Sequence, residues 1–169
     1  LNSYDSAVEK KNIFGKIIAA IDKSNDVFSD SPEIALIAAD SVYHKLEGLK
    51  KESKPQENLA NVNEVISRFS KTNILKDTST YDESYAWVCG AYETRLKINY
   101  ESENIEDVLK DFKTINNICL PIFEKHSFDF YLHSKILKAY QHTGKLLFEK
   151  DRFQEAKPIL EYTSRWGRK

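Results

Sequence analysis

The chain of 169 residues contains no methionine, only five glycines and four prolines, and two cysteines. Each shortage removes a class of structure. Few glycines and prolines leave few tight turns, which argues against a many-stranded β fold and for long helices joined by short polar links. Two cysteines in a chain this long do not make a disulfide scaffold. Cys89 and Cys119 read as small buried side chains in a reducing compartment, so a cytoplasmic location is expected. Lacking an initiator and opening at Leu1, the chain is expected to be processed or to be a piece of a longer protein. Its start, LNSYDSAVEKK, is polar and charged, unlike a signal peptide. The apolar runs are short; IALIAA at 34–39 is far below the length that spans a bilayer, and no membrane partner is expected. A net charge of −1 gives no global field to attract nucleic acid or an anionic membrane.

What is present is a globular balance of 41% hydrophobic and 30% charged residues, enough to build a core. Apolar residues recur at helical spacing almost throughout. Ile13, Phe14, Ile17, Ile18 and Ile21 share one face behind a capping box at Ser6 and Glu9. A second helix is predicted from Ser31-Pro32-Glu33 through Ile34, Ile37, Ala38, Val42 and Leu49. After the polar link ESKPQEN comes a shorter one with Leu59, Val62, Ile66 and Phe69. The loop KTNILKDTST suggests a subdivision into 1–76 and 77–169 within a single all-helical domain, 1–169. Thr80 and Glu83 then open a helix through Tyr85, Trp87, Val88, Ala91, Tyr92, Leu96 and Ile98. The link YESEN leads to Ile105, Val108, Leu109, Phe112, Ile115 and Ile118, where Pro121 ends or kinks the helix. A long helix from about Asp129 to Lys150 and a last one from Arg152 complete an all-α fold of about seven helices, with no stretch of strand-like alternation.

The last two helices carry a more specific pattern. AYQHTGKLLFEKDRFQEAKPILEYTSRW, residues 139–166, resembles a tetratricopeptide (TPR) repeat, a helix–turn–helix unit of about 34 residues. Tyr140, Gly144, Leu147, Phe148, Phe153, Ala156 and Leu160 carry the match. Small Gly144 and Ala156 let two antiparallel helices approach, Phe153 and Leu160 fill the gap toward a neighbouring unit, and Asp151 with Gln154 caps the second helix. Pro158 falls near enough to that helix's start to be tolerated with a mild bend. Thr143, Asp151 and Thr163 depart from the pattern, which usually has Leu, Gly and Ala there. CLPIFEKH at 119–126 echoes AKPILEYT at 156–163. The resemblance implies antiparallel hairpins stacked as a right-handed superhelix, an irregular helical bundle being the plainer alternative. It also implies a scaffold or adaptor without catalysis, and its residues are structural.

Nothing in the sequence assembles a catalytic or cofactor site. His126, His133 and His142 lie too far apart for ligands on one helix face, and no acidic residue stands at matching spacing. Cys89, mid-helix, lacks the helix N-terminus that would activate a thiol. No GxSxG, no phosphate-cradling glycine loop and no paired carboxylates occur, so neither an enzyme nor a cofactor is expected. The aromatic content of 12% suits packing between helical hairpins. Lys135, Lys138 and Lys145 share one side of the long helix and, with Tyr131, form the candidate partner site, suited to an acidic peptide. Arg165, Arg168 and Lys169 around Trp166 are the only hint of a nucleic-acid contact. The favoured function is therefore protein–protein or protein–peptide recognition on a helical groove. Two alternatives are a regulatory or sensor helical domain answering to a peptide or small ligand, and a nucleic-acid-associated helical module.

Overall fold

A computed structural model describes residues 55–70, 84–127 and 129–166, with six scattered positions between 15 and 37. The expected first helix lies largely outside the described residues, as do the caps at Ser6, Ser31 and Thr80 and the KTNILKDTST loop. Of the expected second helix only Ile37 is described, and it is helical and exposed. Among the described residues every regular element is helical and none is a strand.

The chain divides into two compact units, Leu1–Ser79 and Thr80–Lys169. In the first, α1 spans Pro55–Ser70 and begins inside the expected polar link. Pro55 stands at its first position, where a missing N–H costs nothing. Val62, Val65 and Phe69 are buried, three and four residues apart. Glu64 and Arg68 pair at 2.8 Å along the helix.

The second unit comprises α2 (Ser84–Glu101), α3 (Ile105–Thr114), a π-helical turn (Ile115–Cys119), α4 (Leu120–Lys125), α5 (Phe130–Glu149) and α6 (Phe153–Trp166). Contacts fix their directions. Arg95 forks onto Asp111 at 2.6 and 3.0 Å, and Cys89 bonds to Cys119, so α2 runs antiparallel to α3 and the π turn. Gly144 meets Leu160 and Tyr140 stacks on Tyr162, so α5 and α6 are antiparallel. Glu93 reaches Lys135 and Tyr100 packs on His142, so α2 and α5 are parallel. The result is two consecutive hairpins with their first helices side by side and α5 in the middle. α2 is buried on nearly all its sides rather than along one stripe, as a helix enclosed by others must be.

The two hairpin turns are built alike, and without glycine. At the end of α2, Glu103 sits at φ 54°, with Glu103 N–H donating to the Tyr100 carbonyl and Asn104 N–H to that of Asn99. At the end of α5, Asp151 sits at φ 59°, with its N–H donating to Phe148 and Arg152 N–H to Leu147. This is the left-handed helix stop usually given to glycine. Asp151 therefore terminates α5 and is not the cap of α6, which corrects the sequence expectation. Arg152 precedes α6 and instead forks onto Glu155 at 2.6 Å. The next helix after the first turn is capped by Asn104, whose side chain accepts the Asp107 N–H at 3.3 Å. α5 is opened in the same way by Asp129, which accepts from Leu132 N–H at 2.9 Å.

Two further expectations change. The cysteines are not free small side chains but a disulfide, closing a loop of 30 residues with both partners buried. No spacing rule announces it, because the pairing depends on α2 folding back onto the π turn. Pro121 does not end its helix. The helix passes through it after widening to i→i+5 bonding, with Leu120 N–H donating to the Ile115 carbonyl. Proline then falls at the start of α4, where no N–H is needed.

Close approach of α5 and α6 rests on Gly144. A Cβ there would lie 2.6 Å from Leu160 Cδ2 and 2.8 Å from its Cγ. Pro158 lies on the exposed side of α6, so its missing N–H leaves the Gln154 carbonyl without its helical partner at little cost to the core.

Replacing both cysteines by alanine is expected to lower unfolding free energy by about 2–4 kcal/mol, the usual worth of a loop of this size. Urea denaturation with and without reductant checks this; identical midpoints for the oxidised and reduced wild type would refute the covalent link. Asp151→Gly relieves a left-handed residue and is expected to stabilise by up to about 1 kcal/mol, read as a higher urea midpoint at unchanged slope.

Candidate interaction surfaces

The four residues expected to meet a partner separate in the fold. Lys135 is 8% exposed, with Nζ 3.6 Å from Glu93 and 4.9 Å from the Tyr131 ring centre. It is a buried charge joining α2 to α5, and removing either member of such a pair leaves the other unpaired in the interior. It is not available to a ligand. Lys138, Lys145 and Tyr131 are exposed. Lys145 lies 3.7 Å from Glu149 and 5.8 Å from the Tyr100 ring, and Tyr100, then Glu149, hold its ammonium above its ordinary pKa. The lysine side of α5 is thus a partly self-neutralised surface on which Lys138 is also exposed.

The aromatic residues mostly face inward and form a seam. Phe112 meets Tyr140 edge-on at 4.8 Å, and Tyr140 stacks on Tyr162 at 4.3 Å. Tyr162 leads to Trp166 at 6.1 Å, Trp166 to His133 at 5.0 Å, and His133 stacks flat on Phe123 at 4.4 Å. The seam joins α3, α4, α5 and α6. Tyr140 also donates its hydroxyl to the Asn116 side chain on the π turn. Burial, with Tyr162 and Glu124 nearby, pushes its phenol pKa up to about 12.

The three described histidines are spread through this packing. His126 ends α4, His133 lies in the seam, and His142 packs on Tyr100 at 4.9 Å. Among the described residues no three His, Cys, Asp or Glu side chains converge on a point that would hold a metal. Burial lowers the pKa of His133, and burial is also the main cause of lowering at His142, beside Glu93 and Lys97.

The surface that sequence reasoning left as structural lies along α6. Phe148 and Phe153 are 57% and 48% exposed and meet edge-on at 5.0 Å across the α5–α6 turn. With Ala156 and Leu160 they line an open groove of about 490 Å³, edged by Gln154, Lys157, Glu161 and Ser164. Spacing alone marked Phe153 and Leu160 as inward-facing. Leu160 does reach Gly144, but Phe153 has no helix over it within the second unit's described contacts and projects to solvent.

No protein-family model, no curated protein and no solved structure matches this chain. Among the described residues no helix is long and apolar enough to cross a membrane.

A histidine whose folded-state pKa is lowered binds fewer protons in the folded than in the unfolded chain as pH falls below about 6.5. Stability therefore holds above that pH and declines through the folded pKa. Wild type is expected to lose stability between pH 7.5 and 5.5, and His133→Phe, which keeps the stacked ring, is expected to reduce that loss. Equal pH slopes for the two proteins in urea titrations would show that His133 is not a source.

Proposed function

We propose that this chain is a non-catalytic interaction module, a TPR-like pair of helical hairpins that receives a helical peptide or partner protein on the α6 groove. The exposed Phe148–Phe153 pair above Ala156 and Leu160 carries the reading. Two adjacent aromatic rings on a solvent face are what an amphipathic helix needs to anchor in a groove. The repeat reading is supported by the contacts between hairpins. Glu93 with Lys135, and Tyr100 with His142, join the first helices at one common sequence offset, and Phe123 with Trp166 joins the second helices at nearly the same offset. The equivalent turn residues Glu103 and Asp151 lie farther apart than the 34-residue TPR period, so the unit departs from the family in length. The extra residues fall in the second helix of the first hairpin, where the π turn and α4 extend it.

The scaffold or adaptor role follows from the same groove, with the exposed Lys138 side of α5 as a second contact region for acidic groups. The compartment turns on the cysteine pair. A cytoplasmic setting would hold Cys89 and Cys119 as thiols, while a buried disulfide between them fits an oxidising one.

The test is a selection of displayed amphipathic helical peptides on the intact chain. Selected peptides are expected to bind Phe153→Asp at least about tenfold more weakly, roughly 1.4 kcal/mol, and to bind Lys138→Glu as well as wild type. Peptides indifferent to Phe153→Asp would remove the groove as the site, and loss on Lys138→Glu alone would move it to the lysine side of α5.

A further inference from the structure

We infer that His133 makes the α6 groove responsive to pH: on acidification its ring leaves the aromatic box it forms with Phe123 and Trp166, the C-terminal half of α6 loosens, and a bound partner is released. Partner release rests on the groove being an interaction surface, as proposed above; the loosening of α6 does not.

The surroundings of one nitrogen carry it. His133 Nε2 is enclosed and meets no hydrogen-bond partner. The ring lies flat on Phe123 at 4.4 Å with the planes 3° apart, and Trp166 stands nearly perpendicular to it at 5.0 Å. Unprotonated, Nε2 is a neutral acceptor left unused, which the apolar box tolerates. Protonated, it becomes a charged donor with no acceptor, and burial penalises that far more. The Phe123 face attracts a cation, but an Nε2–H bond lies in the imidazole plane, parallel to that face, so the stack does not replace the missing acceptor. The ionisable groups on the elements packed about His133 are Glu124, Lys125 and His126 at the end of α4, Tyr162 and Arg165 on α6, and Asp129 and Lys135 on α5 itself. Asp129 accepts the Leu132 N–H, Lys135 reaches Glu93, and Glu124, Lys125 and Arg165 are exposed. Burial is the cause that lowers the His133 pKa, and none of these charges counters it.

Acid therefore favours a state in which the ring reaches water. Trp166 then loses its contact with α5, and the Tyr140–Tyr162 stack is left one turn back along α6. Leu160, Glu161 and Ser164 of the groove lie in that half of the helix. The Cys89–Cys119 bond holds α2 to the π turn throughout, which confines the response to the second hairpin.

Amide hydrogen exchange of the intact chain, corrected for the pH dependence of the intrinsic rate, tests the loosening. Between pH 7.5 and 5.5 the amides of residues 160–166 are expected to exchange up to about tenfold faster, the limit set by an unfolded imidazole pKa of about 6.5. Amides of α2 around Cys89 are expected to hold their rates. His133→Phe keeps a flat ring without the titrating nitrogen and is expected to abolish the acceleration, whereas His142→Phe is expected to retain it. No acceleration in wild type, acceleration that survives in His133→Phe, or acceleration shared equally by α2 overturns the inference. Proton NMR titration of wild type decides without any variant: a His133 that titrates at or above the ordinary imidazole value overturns it as well. Groove-directed peptides are expected to bind wild type several-fold more weakly at pH 5.5 than at 7.5, and His133→Phe equally at both. Peptides that bind wild type equally at both overturn the control of binding. If no such peptide exists while the α6 amides still answer to His133, the groove reading falls and the pH response stands.

Discussion

The second unit hangs on the environment of a single helix, α5, and on the aromatic seam that crosses it. Tyr140 and His133 project from α5 and touch rings from α3, α4 and α6. An aromatic pair contributes about 0.5–1.5 kcal/mol beyond the area it buries, and five such contacts run in series here. On the opposite side, Lys135 reaches Glu93 and His142 packs on Tyr100, fixing α5 beside α2. The apolar seam supplies cohesion, while the buried ion pair supplies register, because a slip of one turn would leave both charges unpaired.

The two hairpins share a backbone plan and differ in chemistry. Both close through a left-handed acidic residue, Glu103 or Asp151, and the two turns lie together, since Lys150 next to the second pairs with Glu103 in the first. The first hairpin is then locked by a disulfide and by the Arg95–Asp111 fork, with Asn99 also reaching that carboxylate at 3.5 Å. Burial opposes the charge on Arg95, but the hydrogen bond to Asp111 together with the charges of Asp111, Tyr92 and Asp107 outweighs it and raises the guanidinium pKa. The second hairpin has neither lock. It is held by the Gly144–Leu160 approach and the Tyr140–Tyr162 stack.

Much of this was legible in the sequence where a local rule decides it. The helical class, the span of α5, the polar link before α3 and the close approach at Gly144 all follow from spacing and residue size within a few turns. What stayed hidden depends on residues distant in sequence. The Cys89–Cys119 bond requires α2 to fold back on the π turn, and no spacing rule announces it. Lys135 stands on the same side of α5 as Lys138 and Lys145 in a helical projection, yet Glu93 on another helix draws it into the interior. Asp151 read as a cap because acids favour helix starts, whereas the φ of 59° shows it serving as the preceding helix's stop. A shortage of glycine did not reveal that acidic residues, Glu103 and Asp151, take up left-handed positions among the described residues. The groove was visible only as apolar spacing, because which apolar residues of α6 face solvent depends on what packs beside it.

The contrast between the hairpins bears on where binding can occur. A covalent bond and a buried fork make the first hairpin costly to rearrange, so it is suited to act as a fixed base. In the second, α6 is held along one side only, with Ala156 its one fully buried residue and Phe153, Lys157 and Glu161 exposed. Local opening follows the elements with fewest buried contacts, and α6 is such an element at the edge of the unit. Its stacked rings, Tyr162 and Trp166, sit in its C-terminal half, while Ala156 and the turn from α5 hold the other end. The interaction surface proposed on α6 therefore lies on the less firmly fastened of the two hairpins. The groove's position there follows from how unevenly the two hairpins are fastened.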